Sequence, residues 1–200
     1  MTLILGLDPA QVTGIALYDT ARSLSAIQVN TFKAAGDCFE EKGGSIGRQL
    51  FGLIRSLERD GRRPALIAME APLRQKVGIK RKTTFMGQAG DDEPAADGGG
   101  LNAVISSNQI TGAIMCVVAV KDIPFVILSS STWRKAFLGF GTHKGWTRDD
   151  WKKAVRQQCA REKIAVTNND QADAVGIAIA AKNTDTFRHI EYERSRQVAA

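Results

Sequence analysis

Three short apolar runs joined by links of only a few residues open the chain, and this constrains the fold more than any other feature. Residues 3–7 and 14–18 are apolar and brief, and residues 24–32 alternate, with Ile27, Val29 and Thr31 on one face. Links as short as Asp19-Thr20 and Ala21-Arg22-Ser23 return a strand beside its predecessor, so three antiparallel strands are expected in succession. A helical period then takes over. Ile46, Leu50, Leu53, Ile54 and Leu57 mark an amphipathic helix that Arg62-Arg63-Pro64 ends. Residues 65–69 read as a fourth strand, 108–120 as an apolar helix, 124–128 as a fifth strand and 129–132 as a polar turn. Thr147 and Asp150 form a capping box for a helix carrying Trp151, Val155 and Cys159 on one stripe. Asn168 or Asn169 caps a last helix from Asp170 to about Ala181, whose Ala, Val and Ile content predicts burial. The order β-β-β-α-β-α-β-α-α fits an α/β fold: a five-stranded mixed sheet with helices on both faces.

A chain of 200 residues allows one domain with a single core, placed at residues 1–182, followed by a polar tail at 183–200 without a clear period. The pattern fails between residues 73 and 107. That stretch is first basic (Arg74, Lys76, Lys80, Arg81, Lys82), then acidic and Gly-rich, and so long a loop inside a compact domain points to function or disorder. Cys38, Cys116 and Cys159 are odd in number, far apart and outside any zinc spacing, so a reducing, cytoplasmic setting is expected, with Cys116 and Cys159 as small core residues. The N-terminus lacks a basic region leading into an apolar one, and the longest apolar run, residues 110–120, is too short to span a bilayer, so no membrane role is expected. The net charge of +6 suits a polyanionic partner, which releases counterions on contact with Lys and Arg.

Four carboxylates stand at places where a sheet brings side chains together. Asp8 follows the first strand, and Pro9 turns the chain away there. Glu70 ends the fourth strand, and Asp170 and Asp173 share a face of the first turn of the last helix. Taken singly, Asp8 reads equally well as a turn residue, Glu70 as a solvated loop acid and Asp170 as an early-turn acid favoured by the helix dipole. Asp173, one position before an unbroken apolar stretch, is harder to explain without a partner. If the four meet, their charges need compensation, and all-oxygen donors select hard divalent ions, Mg²⁺ or Mn²⁺. Two such ions about 3.5–4 Å apart promote phosphodiester cleavage by water.

These places coincide with a family pattern. The stretch from Leu3 to Gly14 around Asp8-Pro9 resembles the opening strand and turn of RuvC-type Holliday junction resolvases, and Ala68-Met69-Glu70 resembles their second acidic motif. Asn169-Asp170-Gln171-Ala172-Asp173-Ala174 resembles their closing aspartate pair, and the segment from Arg134 through Gly139-Phe140-Gly141 to Lys144 resembles their basic segment. The four motifs keep the family's order and span almost the whole chain. The resemblance implies an RNase H-like fold, a homodimer with two active sites, and Mg²⁺-dependent paired nicking of four-way junctions that leaves 5′-phosphate and 3′-hydroxyl ends. It also implies metal binding by Asp8, Glu70, Asp170 and Asp173, two ions per site with Mn²⁺ able to substitute, and a role at the phosphate for Lys144. Ala10-Gln11-Val12 replaces the family's usual glycine turn, and the long 73–107 segment with Trp133, Trp146 and Trp151 is reminiscent of phage or mobile-element members.

Branched DNA is the expected partner, gripped by Arg74, Lys76, Lys80, Arg81 and Lys82 beside Glu70 and by Arg134, Lys135 and Arg148 in a second cluster. Phe85 or Met86 is placed to wedge into a junction centre, unless that loop is only a solvated surface. Trp151 is expected in the core, and Trp133 and Trp146 partly exposed. Three rival readings remain: an actin-like or sugar kinase, for which the chain is too short; a non-catalytic nucleic-acid-binding relative; and a broader flap, fork or hybrid nuclease.

Overall fold

The computed structural model describes residues 2–72 and 101–199. Five strands, β1 (Leu3–Asp8), β2 (Val12–Asp19), β3 (Gln28–Lys33), β4 (Leu66–Glu70) and β5 (Phe125–Leu128), form one sheet in the order β3-β2-β1-β4-β5. The first three pair antiparallel as their short links require, and β4 and β5 add parallel to β1 and β4. The mixed five-stranded sheet is therefore as expected from sequence.

Strand alternation divides the core in two. Leu5, Leu7, Ile67 and Met69 face one side, where α1 (Phe39–Arg59) and α2 (Leu101–Val120) bury Ile46, Leu50, Ile54, Ile110, Ile114 and Val118 against them. Ile4, Ala16, Leu66, Ala68 and Leu128 face the other, beneath α3 (Ser130–Leu138), α4 (Arg148–Arg161), α5 (Asn169–Ala181) and α6 (Asp185–Ala199). Asp8 and Glu70 share the parity of Ile4 and Ala68, so both point to the side of α5.

Glycine sets how closely α5 lies on the sheet. A Cβ at Gly6 would come within 2.4 Å of the Ala174 carbonyl, and one at Gly14 within 1.8 Å of the Asp170 carbonyl. Only backbone without side chain fits between β1, β2 and this helix. Gly176 similarly clears room on α5 for Trp133, whose ring is fully buried.

Several elements differ from the sequence reading. Residues 129–132 are no turn: Ser129 caps α3 by accepting from the Thr132 amide at 3.2 Å, and Gly139 ends the helix at φ 89°. Serines that read as a turn are here a cap and a first helical turn. The tail beyond Lys182 is helical, because α6 buries Phe187 and packs Ile190 on the core, and Arg194 donates to the Thr2 hydroxyl at 2.7 Å. Residues 24–26 form a 3₁₀ turn rather than the start of a strand. α2 begins seven residues before position 108, and at its full length it is the one helix among the described residues long and apolar enough to cross a membrane. It lies along α1, with Ile110, Ile114 and Val118 in the core and Leu101, Cys116 and Val120 exposed. Cys116 is thus a surface residue, Trp133 a core residue, and all three cysteines are free.

Candidate active site

The β1–β2 turn places the first acid. Pro9 lacks an amide hydrogen, and in place of a glycine turn the Thr13 hydroxyl donates to the Ala10 carbonyl at 2.6 Å and accepts the Ala10 amide at 3.3 Å. Asp8 is then fixed by the ladder opposite Gly14. Leu7 pairs with Met69 in the parallel register, so Asp8 and Glu70 end adjacent strands side by side.

The remaining two acids descend onto that edge from α5. Asn168 caps the helix by accepting the Gln171 amide at 2.9 Å, and the Gln171 side chain reaches back to the Thr167 amide at 2.8 Å. This reciprocal cap fixes the first turn, which rests on Gly14, and brings the charges of Asp170 and Asp173 to bear on Asp8. The electrostatics record the convergence. Burial raises the Asp8 carboxyl well above its ordinary pKa, and the charges of Asp173, Glu70 and Asp170 raise it further. Burial likewise raises Asp173, with Glu70 adding to the effect. The four predicted acids thus lie at the same end of the sheet, within electrostatic reach of one another.

One charged side chain at this site was missed. Lys152 of α4 forms an ion pair with the Asp173 carboxylate, and the side chains are only 17% and 5% exposed. Burial opposes the Lys152 charge, but Asp173, Asp8 and Asp170 outweigh it and hold its pKa above the ordinary value. A signal was present: Lys152 stands three and seven residues before Val155 and Cys159, on the buried stripe. On the opposite flank the Ser130 hydroxyl donates to Glu70. Cys159 lies near enough that burial, with the Asp173 charge, pushes its thiol to about 12, so it is no nucleophile.

The donor set suits a hard cation, being four carboxylates whose mutual charge at Asp8 is only partly offset by Lys152. Among the described residues no three His, Cys, Asp or Glu side chains are already grouped to hold an ion. Two of the four acids are engaged instead by the protein's own donors, Lys152 and Ser130.

The basic candidates are dispersed. Lys144 is exposed on the α3–α4 connection and is not among the charges that shift Asp8 or Asp173. Lys135 and Arg148 are exposed, on α3 and at the start of α4. Arg134 is half-buried, its guanidinium 4.8 Å from the Trp151 ring centre and 5.2 Å from that of Trp133, and its charge favours ionised Asp173. Trp151 joins Phe140, His143 and Trp146 in an aromatic group on the same connection, with Trp146 stacked on His143 at 4.5 Å. Arg74, Lys76, Lys80, Arg81, Lys82, Phe85 and Met86 lie outside the described residues.

By sequence, no protein-family model and no curated protein matches this chain. By structure it is similar to RuvC from Thermus thermophilus, at 18% identity and a TM-score of 0.55, over 90% of this chain and 92% of that one. A second similar structure is T. thermophilus RuvC in complex with a Holliday junction substrate, at 12% identity and a TM-score of 0.58 with the same coverage. At such identities the likeness speaks to architecture: the protein has the RuvC fold, an α/β sheet of the RNase H-like kind.

Proposed function

We propose that this chain is a structure-selective endonuclease that hydrolyses phosphodiester bonds in branched DNA, four-way junctions foremost, with Mg²⁺ held by Asp8, Glu70, Asp170 and Asp173. The observation that carries this reading is that Asp8, at one sheet end, is pushed up by burial and by the charges of Asp173, Glu70 and Asp170. The fold supports it, since one similar structure is that of RuvC with a Holliday junction substrate. So does the net charge of +6.

Bound Mg²⁺ would neutralise phosphate charge and lower the pKa of the attacking water. The chain's own residues define where that happens. Asp8 and Glu70 are held by the parallel register of β1 and β4, and Asp170 and Asp173 by a capped helix seated on glycine. A backbone fixed in this way limits the rearrangement left to the side chains when an ion binds. Lys135, Lys144 and Arg148 are exposed and available to phosphates flanking the cut, leaving 5′-phosphate and 3′-hydroxyl ends.

Paired nicking needs two sites, hence a homodimer. β5 is an edge strand whose Phe125 and Ile127 are 43% and 45% exposed, and Val120 at the end of α2 is 77% exposed. An apolar surface of this kind suits a second copy. Replacing Phe125 and Ile127 together by Lys is expected to give a monomer on sedimentation with an unchanged circular-dichroism spectrum; a dimer that persists would place the interface elsewhere.

The decisive assay offers labelled four-way junction, flap, hybrid and linear duplex, with Mg²⁺ and with chelator. Metal-dependent cutting of the junction in preference to linear duplex is expected. Preference for flaps or forks would broaden the substrate class. Binding of junctions without cutting of any substrate would instead mark a non-catalytic nucleic-acid-binding protein.

A further inference from the structure

The acid site contains a cation of its own. Lys152 reaches it from α4, a helix oriented by a complete capping box in which Asp150 accepts the Thr147 amide at 2.8 Å and Thr147 accepts the Asp150 amide at 3.3 Å. Its ammonium contacts the buried Asp173, and its charge also favours the ionised form of Asp8. Arg134 acts on Asp173 as well, but its guanidinium lies over two indole rings and makes no ion pair with the acid. Among the described residues, Lys152 is thus the positive charge in direct contact with the acids.

We propose that Lys152 is a built-in counter-ion that competes with the divalent cation for Asp173. It holds the acids together in the metal-free protein and gives up Asp173 when metal binds. This rests on the reading of the four acids as a metal site. The physical argument is one of charge and of contacts. Four converging carboxylates separate unless something neutralises them, and one ammonium does so in part. A divalent ion brings twice that charge and needs the Asp173 oxygen to which the ammonium is bonded. The two cannot both make their best contact with it. Asp173 is turned to Lys152, so its oxygen is engaged by the ammonium.

The test compares wild type, Lys152→Met and Lys152→Arg for Mn²⁺ binding, read as free Mn²⁺ by electron paramagnetic resonance at pH 8 and low salt. Lys152→Met is expected to bind Mn²⁺ about ten-fold more tightly, the scale of one screened charge at contact range, and Lys152→Arg to stay close to wild type. A merely structural lysine predicts the opposite sign, because losing a prop loosens the site and weakens binding. Melting in chelator should show Lys152→Met less stable than wild type, with a larger rise on adding Mn²⁺. If wild type binds Mn²⁺ and folded Lys152→Met binds it equally or more weakly, the competition is overturned while the metal site stands. If neither binds Mn²⁺, the metal reading fails and the competition with it. Should Lys152→Met not fold, the wild type decides. Its Lys152 side-chain ¹³Cε signal, identified by its loss in Lys152→Arg, moves on Mg²⁺ addition if the ammonium is displaced, and its failure to move while Mg²⁺ binds overturns the proposal.

Discussion

Asp8→Asn is expected to abolish metal-dependent cutting, to leave branched-DNA binding in place, and to raise the melting temperature of the metal-free protein at pH 8. Asn keeps the shape of the side chain and the ladder position opposite Gly14 but removes the anionic ligand. Losing a group that merely orients a metal ligand costs up to about 100-fold in affinity or activity, so losing the ligand itself should cost at least that much. The gain in stability follows from the direction in which Asp8 is shifted. Its ordinary value is 3.8, and burial together with Asp173 and Glu70 raises it in the folded protein. Below 3.8 both folded and unfolded chains carry the neutral acid, and the substitution changes little. As pH rises through the raised value the folded protein must ionise a buried, crowded carboxyl, and stability is lost that Asn does not lose. Melting curves in chelator at pH 8 and pH 3.5, with cleavage and gel-shift assays beside them, check all three outcomes. Cutting at the wild-type rate would remove Asp8 from the site, and a lower melting temperature at pH 8 would show that its charge is compensated.

How much of this was legible in the sequence depends on where the determining interactions are local. The three antiparallel strands, the α4 capping box and the Asn168 cap were readable because a few neighbouring residues decide them. The placement of the four acids was readable because Asp8 and Glu70 end strands and Asp170 and Asp173 lie in the opening turns of α5, and such places are where a sheet gathers side chains. α3 was not, since its buried side consists of only Trp133 and Phe137, and Trp133 is held by the space that distant Gly176 leaves. α6 was not, because its amphipathic stripe is slight and its anchors need distant partners, Phe187 the core and Arg194 the hydroxyl of Thr2 at the other end of the chain. Lys152 was overlooked for a related reason. A lysine on an otherwise apolar stripe has meaning only once Asp173, on another helix, is known to face it. Lys144, chosen by its place in a motif, sits instead on an exposed connection.

The site's dependence on backbone contact makes Gly14 its most exacting position. Gly14→Ala is expected to destabilise the protein by about 3 kcal/mol, the top of the usual range for overpacking, and so to lower Tm by about 6–12 °C. The added methyl would stand 1.8 Å from the Asp170 carbonyl oxygen and 2.3 Å from its carbon. Both atoms belong to backbone, so no rotamer change relieves the clash and the first turn of α5 must lift. Lifting it carries Asp170 and Asp173 away from Asp8, so Mn²⁺ binding should weaken even at temperatures where the variant is fully folded. Gly52→Ala supplies the control, for it lies within α1 with nothing near its Cβ, and there alanine should stabilise by about 1 kcal/mol through helix propensity alone. The same chemical change thus has opposite signs at two positions, which separates close packing from any general intolerance of glycine replacement. Thermal melts of both variants, with Mn²⁺ titrations at 20 °C, decide the matter. A Gly14→Ala protein as stable as wild type and equally avid for Mn²⁺ would mean that α5 does not rest on β2 as closely as this, and the convergence of the four acids would lose its structural basis.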